Sequence, residues 1–294
     1  MILIYTVFMS NPPNPKTIKA LAMDLDGTIL APGATLTERT IRAVNKCRQL
    51  GLGIIITTGR AIEAAEFYRA PLGAEGPMIY YNGAVVAEMP GVKILKTTLL
   101  ERKAVEFCVE LSRETGVYCQ VYFYDEDTGG SNHNRIVLFA EKDCPEREMY
   151  HKHTGILPEL VDLIKVLNQY KPKSCVKIMF LAEPEVQAAL RPRLDEHFGE
   201  SVYIAQTTRT FLEITDKMAS KGHGLNFAME KLSLKSEEVI AFGDEENDLP
   251  MFTVVGFSVA PSNAKEQVKA RADMVVGSNA ENGVAVFLEE FFGF

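Results

Sequence analysis

The sequence predicts an α/β fold, namely a doubly wound, mostly parallel sheet core with an α+β domain inserted into it. Short β-branched runs alternate with amphipathic stretches near both ends of the chain, as in parallel sheets covered by helices. The middle of the chain carries longer strand-like runs rich in Tyr and Phe. With 294 residues, of which 47% are hydrophobic, the chain is long enough for two such domains.

The first core segment reads strand, helix, strand, helix, strand. The apolar run IKALAMD suits a buried parallel strand that ends at acidic residues. The stretch TERTIRAVNKCRQLG places Ile41, Val44 and Cys47 at helical spacing, and Gly51 suits its C-cap. LGIIITTGR is a second strand, AIEAAEFYRAPLG a second helix and PMIYYNGAVV a third strand.

Residues 87–208 are predicted to form the inserted domain, between core segments 1–86 and 209–294. Its strands would be VYCQVYFYD, NRIVLFAE, SCVKIMFLA and SVYIAQT, with helices LERKAVEFCVELSRETG, LPELVDLIKVLNQY and EPEVQAALRPRLDEHFG. Core strands return in EEVIAFG, GFSVA and ADMVVG. Residues 1–16 are interpreted as an N-terminal extension. Its apolar start, MILIYTVFM, lacks a signal-peptide pattern and is too short to span a bilayer; an edge strand and a partly disordered segment are both open for it.

Charge and cysteine usage narrow the class of protein. The formal net charge is −8, and both predicted parts are acidic, with 16 Lys/Arg against 20 Asp/Glu in the core and 15 against 19 in the insert. Neither predicted part is basic, as a nucleic-acid-binding domain would be. The five cysteines are an odd number without a C-x-x-C pair, which predicts reduced thiols and a cytoplasmic protein with no membrane partner.

Four polar clusters lie at or near predicted strand ends, where parallel sheets bind ligands. They are Asp24/Asp26, Thr57-Thr58-Gly59, Lys221 in SKGHG, and GDEEND with Asp244, Asn247 and Asp248. Each cluster alone is as well explained by a solvated turn, a helix start, a surface lysine or a helix-capping acidic loop. Together they suit a phosphoryl group: grouped carboxylates favour Mg²⁺, and Lys, Thr hydroxyl and glycine N–H groups bind phosphoryl oxygens.

In this order the clusters resemble the haloacid dehalogenase (HAD) superfamily, with DLDGT as its first motif, TTGR its second, Lys221 its third and GDEENDLPMF its fourth. The insert resembles the C2-type cap of the Cof-like branch, whose members are mostly sugar-phosphate phosphatases. The resemblance covers residues 18–290. It implies a HAD-like core with a cap, and an Mg²⁺-dependent phosphatase that acts on a small phosphorylated metabolite, such as a sugar phosphate, through an aspartyl-phosphate.

The resemblance also implies a role for each matching residue. Asp24 would be the nucleophile, Asp26 the general acid and base, and Lys221 a catalytic and phosphate-binding cation. Mg²⁺ would be held by the Asp24 side chain, the Asp26 carbonyl and Asp244. The remaining phosphate-binding positions would be Leu25, Thr58, Gly59 and Asn247, and Asp248 would orient Lys221 or a metal-bound water. Pro261-Ser262 replaces the Met-Gly that the family usually has, which bears on substrate access.

Two other functions stay open on this evidence: a phosphomutase of the same superfamily, and a phosphometabolite sensor without turnover. The oligomeric state, monomer or dimer, is also open. His151 and His153 lack nearby acid or Cys ligands at fixed spacing and are interpreted as surface residues. Arg60 is expected to brace its motif. The insert's candidates for contacting the non-phosphate end of the substrate also suit solubilising strand edges: Lys171, Lys173, Lys177, Tyr122, Tyr124 and Asp125.

Overall fold

The computed structural model describes residues 7–8, 12–125, 135–171 and 173–294. It divides into two compact units, one formed by residues 1–91 and 220–294 and the other by residues 92–219. These bounds differ from the predicted insert of 87–208. Residues up to Met89 still form a hairpin strand of the first unit, and the strand Phe211–Asp216 pairs within the sheet of the second.

The chain alternates strands and helices along most of its length. Numbered along the chain, the strands are β1 (Val7–Phe8), β2 (Ala20–Met23), β3 (Gly53–Ile56), β4 (Gly76–Tyr80), β5 (Val85–Met89), β6 (Lys93–Thr97), β7 (Leu100–Glu101), β8 (Tyr118–Asp125), β9 (Arg135–Ala140), β10 (Glu159–Leu160), β11 (Lys173–Leu181), β12 (Val202–Gln206), β13 (Phe211–Asp216), β14 (Val239–Phe242), β15 (Phe257–Pro261) and β16 (Met274–Val276). The helices are α1 (Glu38–Gln49), α2 (Ile62–Leu72), α3 (Arg102–Thr115), α4 (Pro145–Thr154), α5 (Leu163–Leu167), α6 (Pro184–Phe198), α7 (Lys221–Leu232), α8 (Leu249–Phe252), α9 (Glu266–Lys269) and α10 (Gly283–Phe292).

The first unit is built on a sheet of order β1-β16-β15-β14-β2-β3, parallel except for β1. Successive residues of β14 face opposite layers, as the pleat of a strand requires. Ala241 lies in an apolar cluster with Leu225 of α7, whereas the ring of Phe242 is 5.7 Å from that of Phe287 in α10. Helices therefore cover both faces of the sheet, and the predicted doubly wound α/β class is confirmed.

The N-terminal extension contributes β1 at one edge of this sheet. Val7 pairs with Val275 and Phe8 with Met274, antiparallel to the strand they join. The predicted edge strand therefore covers β16 at these two residues. The rest of its predicted segment, residues 1–6 and 9, lies outside the described residues, as do 10 and 11.

The second unit has the α+β character predicted for the cap. Its sheet runs β10-β9-β8-β11-β13-β12, with β7 also paired to β11, and is antiparallel except between β9 and β10. One apolar core joins β8, β11 and β13 to α3, α5 and α6. The predicted helix over LPELVDLIKVLNQY is shorter, because Glu159–Leu160 pairs with β9 and Asp162 caps α5. The turn-rich EDTGGSNHN overlaps residues 126–134, which lie outside the described part.

Candidate active site

The predicted motif residues of the first unit follow the ends of three adjacent parallel strands and the start of one helix. Asp24 follows β2 directly, Thr57 follows β3, and Asp244 comes two residues after β14. Lys221 is the first residue of α7, and the Ser220 side chain caps this helix by accepting the His223 N–H. Since β14, β2 and β3 are neighbours, their carboxyl ends bring these segments together.

Lys221 is the centre of a buried ionic cluster. Its Nζ lies 2.5 Å from Asp24 Oδ1 and 2.6 Å from Asp248 Oδ1, and the lysine is 1% exposed. Burial alone would lower the pKa of Lys221, but Asp24 and Asp248 raise it above its usual value. The lysine is therefore a fixed positive charge beside the predicted nucleophile.

Asp24 and Asp244 are buried carboxylates with few neutralising partners. Burial raises the pKa of Asp24 well above its usual range; Lys221 opposes this shift, and Asp248 and Asp244 add to it. Burial likewise raises the pKa of Asp244 to about 7, with Asp248 adding to the shift. Asp244 Oδ1 accepts the Thr28 hydroxyl at 2.7 Å. The site is therefore short of positive charge.

Carboxylate oxygens of Asp24, Asp244 and Asp248 lie within 4.8 Å of one another, the spacing of a cation site. Asp248 has both oxygens in use, since Oδ1 accepts from Lys221 and Oδ2 accepts the N–H groups of Asp244 and Glu245 at 2.9 and 3.0 Å. It thus holds Lys221 and the acidic loop in place. Asp24 and Asp244 are left as the side chains suited to hold a cation.

Asp26 lies outside this buried cluster. Its side chain is 53% exposed and accepts two hydrogen bonds from Arg60, from Nε at 2.7 Å and from Nη2 at 2.6 Å. The Arg60 guanidinium also lies 4.7 Å from the ring centroid of Tyr68. Arg60 was expected to brace its own motif, TTGR; in the structure it also ties that motif to the first one, through the predicted acid–base residue.

The predicted phosphate-binding residues occupy three segments beside the cluster, one after each of β2, β3 and β14. Thr58 is buried, and its hydroxyl accepts the Arg60 N–H at 3.1 Å. The Asn247 Nδ2 donates to Asn82 Oδ1 at 2.9 Å. Leu25 is buried, and its carbonyl accepts the Leu30 N–H at 2.9 Å. These contacts fix the backbone and side chains of the three segments beside the cluster.

Sequence reasoning gave no role to three residues that shape this site. Thr28 bonds Asp244, and Gly27 has φ +76°, where a Cβ atom would lie 2.1 Å from Asp244 Oδ2. Both are residues of the DLDGT motif, so the motif could have indicated that they belong to the site. Asn82, which bonds Asn247, lies in YYNG, where an Asn-Gly pair indicates a turn.

The other sequence candidates lie elsewhere in the fold. His151 and His153 are in α4, and neither belongs to the one group of three or more possible ligands found among the described residues. In the second unit, the buried Lys177 pairs with Glu213 at 2.8 Å and lies 4.8 Å from the Tyr122 ring centroid. None of the described helices is long and apolar enough to cross a membrane.

Comparison with known proteins identifies the class. A family profile described as haloacid dehalogenase-like hydrolase matches residues 21–288. A Haemophilus influenzae protein named "Putative phosphatase" is 29% identical over 279 residues, covering 94% of this chain and 97% of its own. Pyridoxal phosphate phosphatase YbhA of Escherichia coli is 27% identical over 283 residues, covering 92% of this chain and 98% of its own. The chain belongs to the haloacid dehalogenase-like hydrolase family.

The solved structures agree with this assignment. The crystal structure of TM0651 from Thermotoga maritima aligns with a TM-score of 0.77 at 28% identity, covering 93% of this chain and 97% of that one. The predicted superfamily is confirmed, as is the predicted class of enzyme, a phosphatase of the HAD type.

Proposed function

We propose that the chain is an Mg²⁺-dependent phosphatase that hydrolyses a small phosphorylated metabolite through an aspartyl-phosphate on Asp24. The buried group of Asp24, Lys221, Asp244 and Asp248 carries the proposal. If its carboxylates are ionised, three negative charges face one positive charge, and a divalent cation would balance the remaining two.

The residues present fit Mg²⁺. The Asp24 and Asp244 carboxylates and the Asp26 backbone carbonyl would hold the ion, all oxygen ligands as Mg²⁺ prefers. The absence of a side chain at Gly27 leaves the Asp244 carboxylate in place, and Thr28 fixes one of its oxygens. When bound, Mg²⁺ would neutralise charge between the nucleophile and the phosphate.

In the first step Asp24 attacks phosphorus, so a bond forms between its carboxylate oxygen and phosphorus while the bond to the leaving oxygen breaks. The leaving oxygen takes a proton from Asp26. Lys221 offsets negative charge on Asp24 and on the incoming phosphate. Thr58, Gly59 and Asn247 would donate hydrogen bonds to the phosphoryl oxygens.

In the second step water attacks phosphorus, the bond to Asp24 breaks, and Asp26 takes the proton from water. Arg60 engages both Asp26 oxygens in the structure. We propose that the Asp26 side chain exchanges one of these hydrogen bonds for the reacting oxygen during turnover. Arg60 thus defines a resting position for the acid–base residue.

For the substrate we propose a small phosphate monoester, with sugar phosphates first among the candidates because of the resemblance to the Cof-like branch. A relative named for pyridoxal phosphate supports a small monoester more generally. The five cysteines are free thiols, which supports a reducing, cytoplasmic compartment.

Phosphate release from a panel of phosphorylated metabolites, including sugar phosphates and pyridoxal phosphate, tests the proposal. We expect release that EDTA abolishes and Mg²⁺ restores, with Ca²⁺ a poor replacement because it prefers longer bonds and more ligands. The matched control is Asp24→Asn, which keeps the shape of the nucleophile and should release no phosphate. Full activity in EDTA after dialysis would contradict the metal requirement.

The same panel separates the two alternatives. A phosphomutase would release little phosphate and would depend on a bisphosphate activator. A sensor would bind one metabolite tightly without turnover. Binding alone does not require the Asp26 acid, so the presence of Asp24, Asp26, Lys221 and Asp244 as a complete set favours turnover.

A further inference from the structure

The turn Tyr81–Gly83, between β4 and β5, has an unusual backbone. Its three residues have φ values of +50°, +56° and +95°, and only the third is glycine. A left-handed conformation is unfavourable for a residue such as tyrosine, and strain of this kind persists where surrounding contacts require it. The contacts of this turn therefore indicate what it does.

Backbone hydrogen bonds connect the turn to the TTGR motif. The Asn82 N–H donates to the Thr58 carbonyl at 3.0 Å, and the Tyr81 N–H donates to the Arg60 carbonyl at 3.2 Å. A Cβ atom on Gly59 would lie 2.9 Å from Asn82 Oδ1. The Asn82 carboxamide thus packs against the predicted phosphate-binding loop, in space that Gly59 leaves open.

The same turn contacts two other motif segments. Asn82 Oδ1 accepts a hydrogen bond from Asn247 Nδ2 at 2.9 Å, while Asn247 Oδ1 is buried with no hydrogen-bond partner among the described residues. A Cβ atom on Gly83 would lie 2.0 Å from the carbonyl of Ser220, the residue before Lys221. One turn therefore meets the second, third and fourth motifs.

We propose that Asn82 is a positioning residue of the phosphate site, an inference that rests on the proposed function. Its carboxamide holds the Asn247 amide in one orientation and supports the loop of Thr58 and Gly59. The N–H groups expected to bind the phosphoryl oxygens are thereby fixed before the substrate arrives. Groups fixed in advance need no ordering at the moment of binding or reaction.

Asn82→Gly tests this role because glycine accepts a positive φ while losing the carboxamide. We expect inorganic phosphate, measured by calorimetry, to bind about tenfold more weakly, and kcat/KM for p-nitrophenyl phosphate to fall by a similar factor, as for one lost hydrogen bond. Asn247→Ala should cost a similar factor. The double variant should be little worse than either single variant, because the two residues act as a unit.

The matched control is Asn282→Gly. Asn282 also has a positive φ, +58°, and its side chain also accepts a hydrogen bond, from Thr37, which belongs to none of the four motifs. The Asn282→Gly variant should be less stable than wild type but should bind phosphate equally well. If Asn82→Gly does not fold, Asn82→Asp keeps an acceptor oxygen and should still weaken phosphate binding through its charge.

The outcomes separate this inference from the proposed function. Suppose that wild type binds and releases phosphate and that Asn82→Gly does so equally well. The proposed role of Asn82 is then wrong, while the phosphatase function stands. The same conclusion follows if the fold-losses of the Asn82 and Asn247 variants multiply in the double variant. A fall in Tm with unchanged phosphate binding would also overturn it, leaving a structural role. If wild type neither binds inorganic phosphate nor releases it from any ester, both proposals fail.

Discussion

Gly27 lacks a side chain where the Asp244 carboxylate needs the space. In Gly27→Ala the added Cβ would overlap Asp244 Oδ2 and push it aside. Because displaced supporting residues typically reduce metal affinity about 10–100-fold, we expect the Mg²⁺ concentration for half-maximal activity to rise by about that factor. Titration of phosphate release with Mg²⁺ measures it.

Gly116→Ala is the control for this substitution. Gly116 has φ +77°, but no atom lies within 4 Å of the Cβ position. Both variants carry the backbone cost of a left-handed alanine, roughly 1–2 kcal/mol. Only Gly27→Ala should change the Mg²⁺ requirement, and an equal change in both would contradict the assigned role of Gly27.

Lys221 is the only side-chain cation bonded to Asp24 and Asp248 in the described part of the chain. Lys221→Met would leave two buried carboxylates without their partner, which costs about 3–5 kcal/mol of unfolding free energy. Urea unfolding measures the loss. Because the site then carries more uncompensated negative charge, Mg²⁺ should recover more stability in this variant than in wild type.

The control is Lys177→Met, which breaks the buried pair with Glu213 in the second unit. It should also destabilise the protein, but without a changed response to Mg²⁺. An identical Mg²⁺ response in both variants would mean that the Lys221 cluster is not the cation site.

For individual residues, the sequence predicted positions well where a residue directly follows the end of a strand or begins a helix. Asp24, Lys221, Asp244 and Asp248 meet because neighbouring parallel strands end, and one helix begins, at the same edge of the sheet. The Asp26–Arg60 pair and the Asn82–Asn247 bond depend on loop conformations, which no periodic pattern specifies. Those contacts could not be predicted.

Among the elements, β1 is the only described piece of the first eleven residues, and it covers the edge of β16. Removing residues 1–9 should expose that edge, lower the unfolding free energy by about 1–2 kcal/mol and promote self-association. The proposed site lies at β2, β3 and β14, so kcat should change little. Sedimentation and thermal unfolding check both effects.

The matched truncation removes residues 1–5 and leaves β1 in place. It should behave like wild type. If both truncations lose the same stability, the pairing of Val7 and Phe8 with β16 contributes nothing measurable.

Element identity was predictable where the hydrophobic pattern was strong, as in β2, β14 and α1. It was less so in the second unit. The predicted second core segment, 209–294, includes Phe211–Asp216, but this strand, β13, pairs with β11 of the second unit. Pairing between strands distant in sequence depends on tertiary structure, and a local pattern does not contain it.

For the whole molecule, four of the five thiols are buried and Cys144 is partly exposed. Burial raises the pKa of Cys47 to about 12 and holds those of Cys108 and Cys175 well above the usual range. Since thiolates are the reactive form, iodoacetamide at pH 8 should modify Cys144 before the other four. Mass spectrometry of the native and urea-unfolded protein tests this order.

These raised thiol pKa values also determine how the unfolding free energy changes with pH. A thiol pKa that is higher in the folded than in the unfolded protein means that the unfolded chain loses its proton first. The unfolding free energy should therefore fall as pH rises above the pKa of a free thiol, about 8.5. Rapid alkylation of all five cysteines in the native protein would contradict the buried arrangement.

The alternation of strands and helices was enough to predict the architecture of the whole chain, including a core interrupted by an α+β unit. The compact second unit, residues 92–219, begins and ends later in the chain than the predicted insert of 87–208.

The covalent intermediate is the central claim, and rapid-quench mass spectrometry of Asp26→Asn with p-nitrophenyl phosphate tests it most directly. This leaving group needs little protonation, so Asp24 should be phosphorylated, but the variant lacks the base that activates water. We predict a burst of about one equivalent of p-nitrophenolate per enzyme, with the mass of a phosphoryl group on Asp24, and neither in Asp24→Asn. Equal loss on good and poor leaving groups, with no burst and no added mass, would contradict the account.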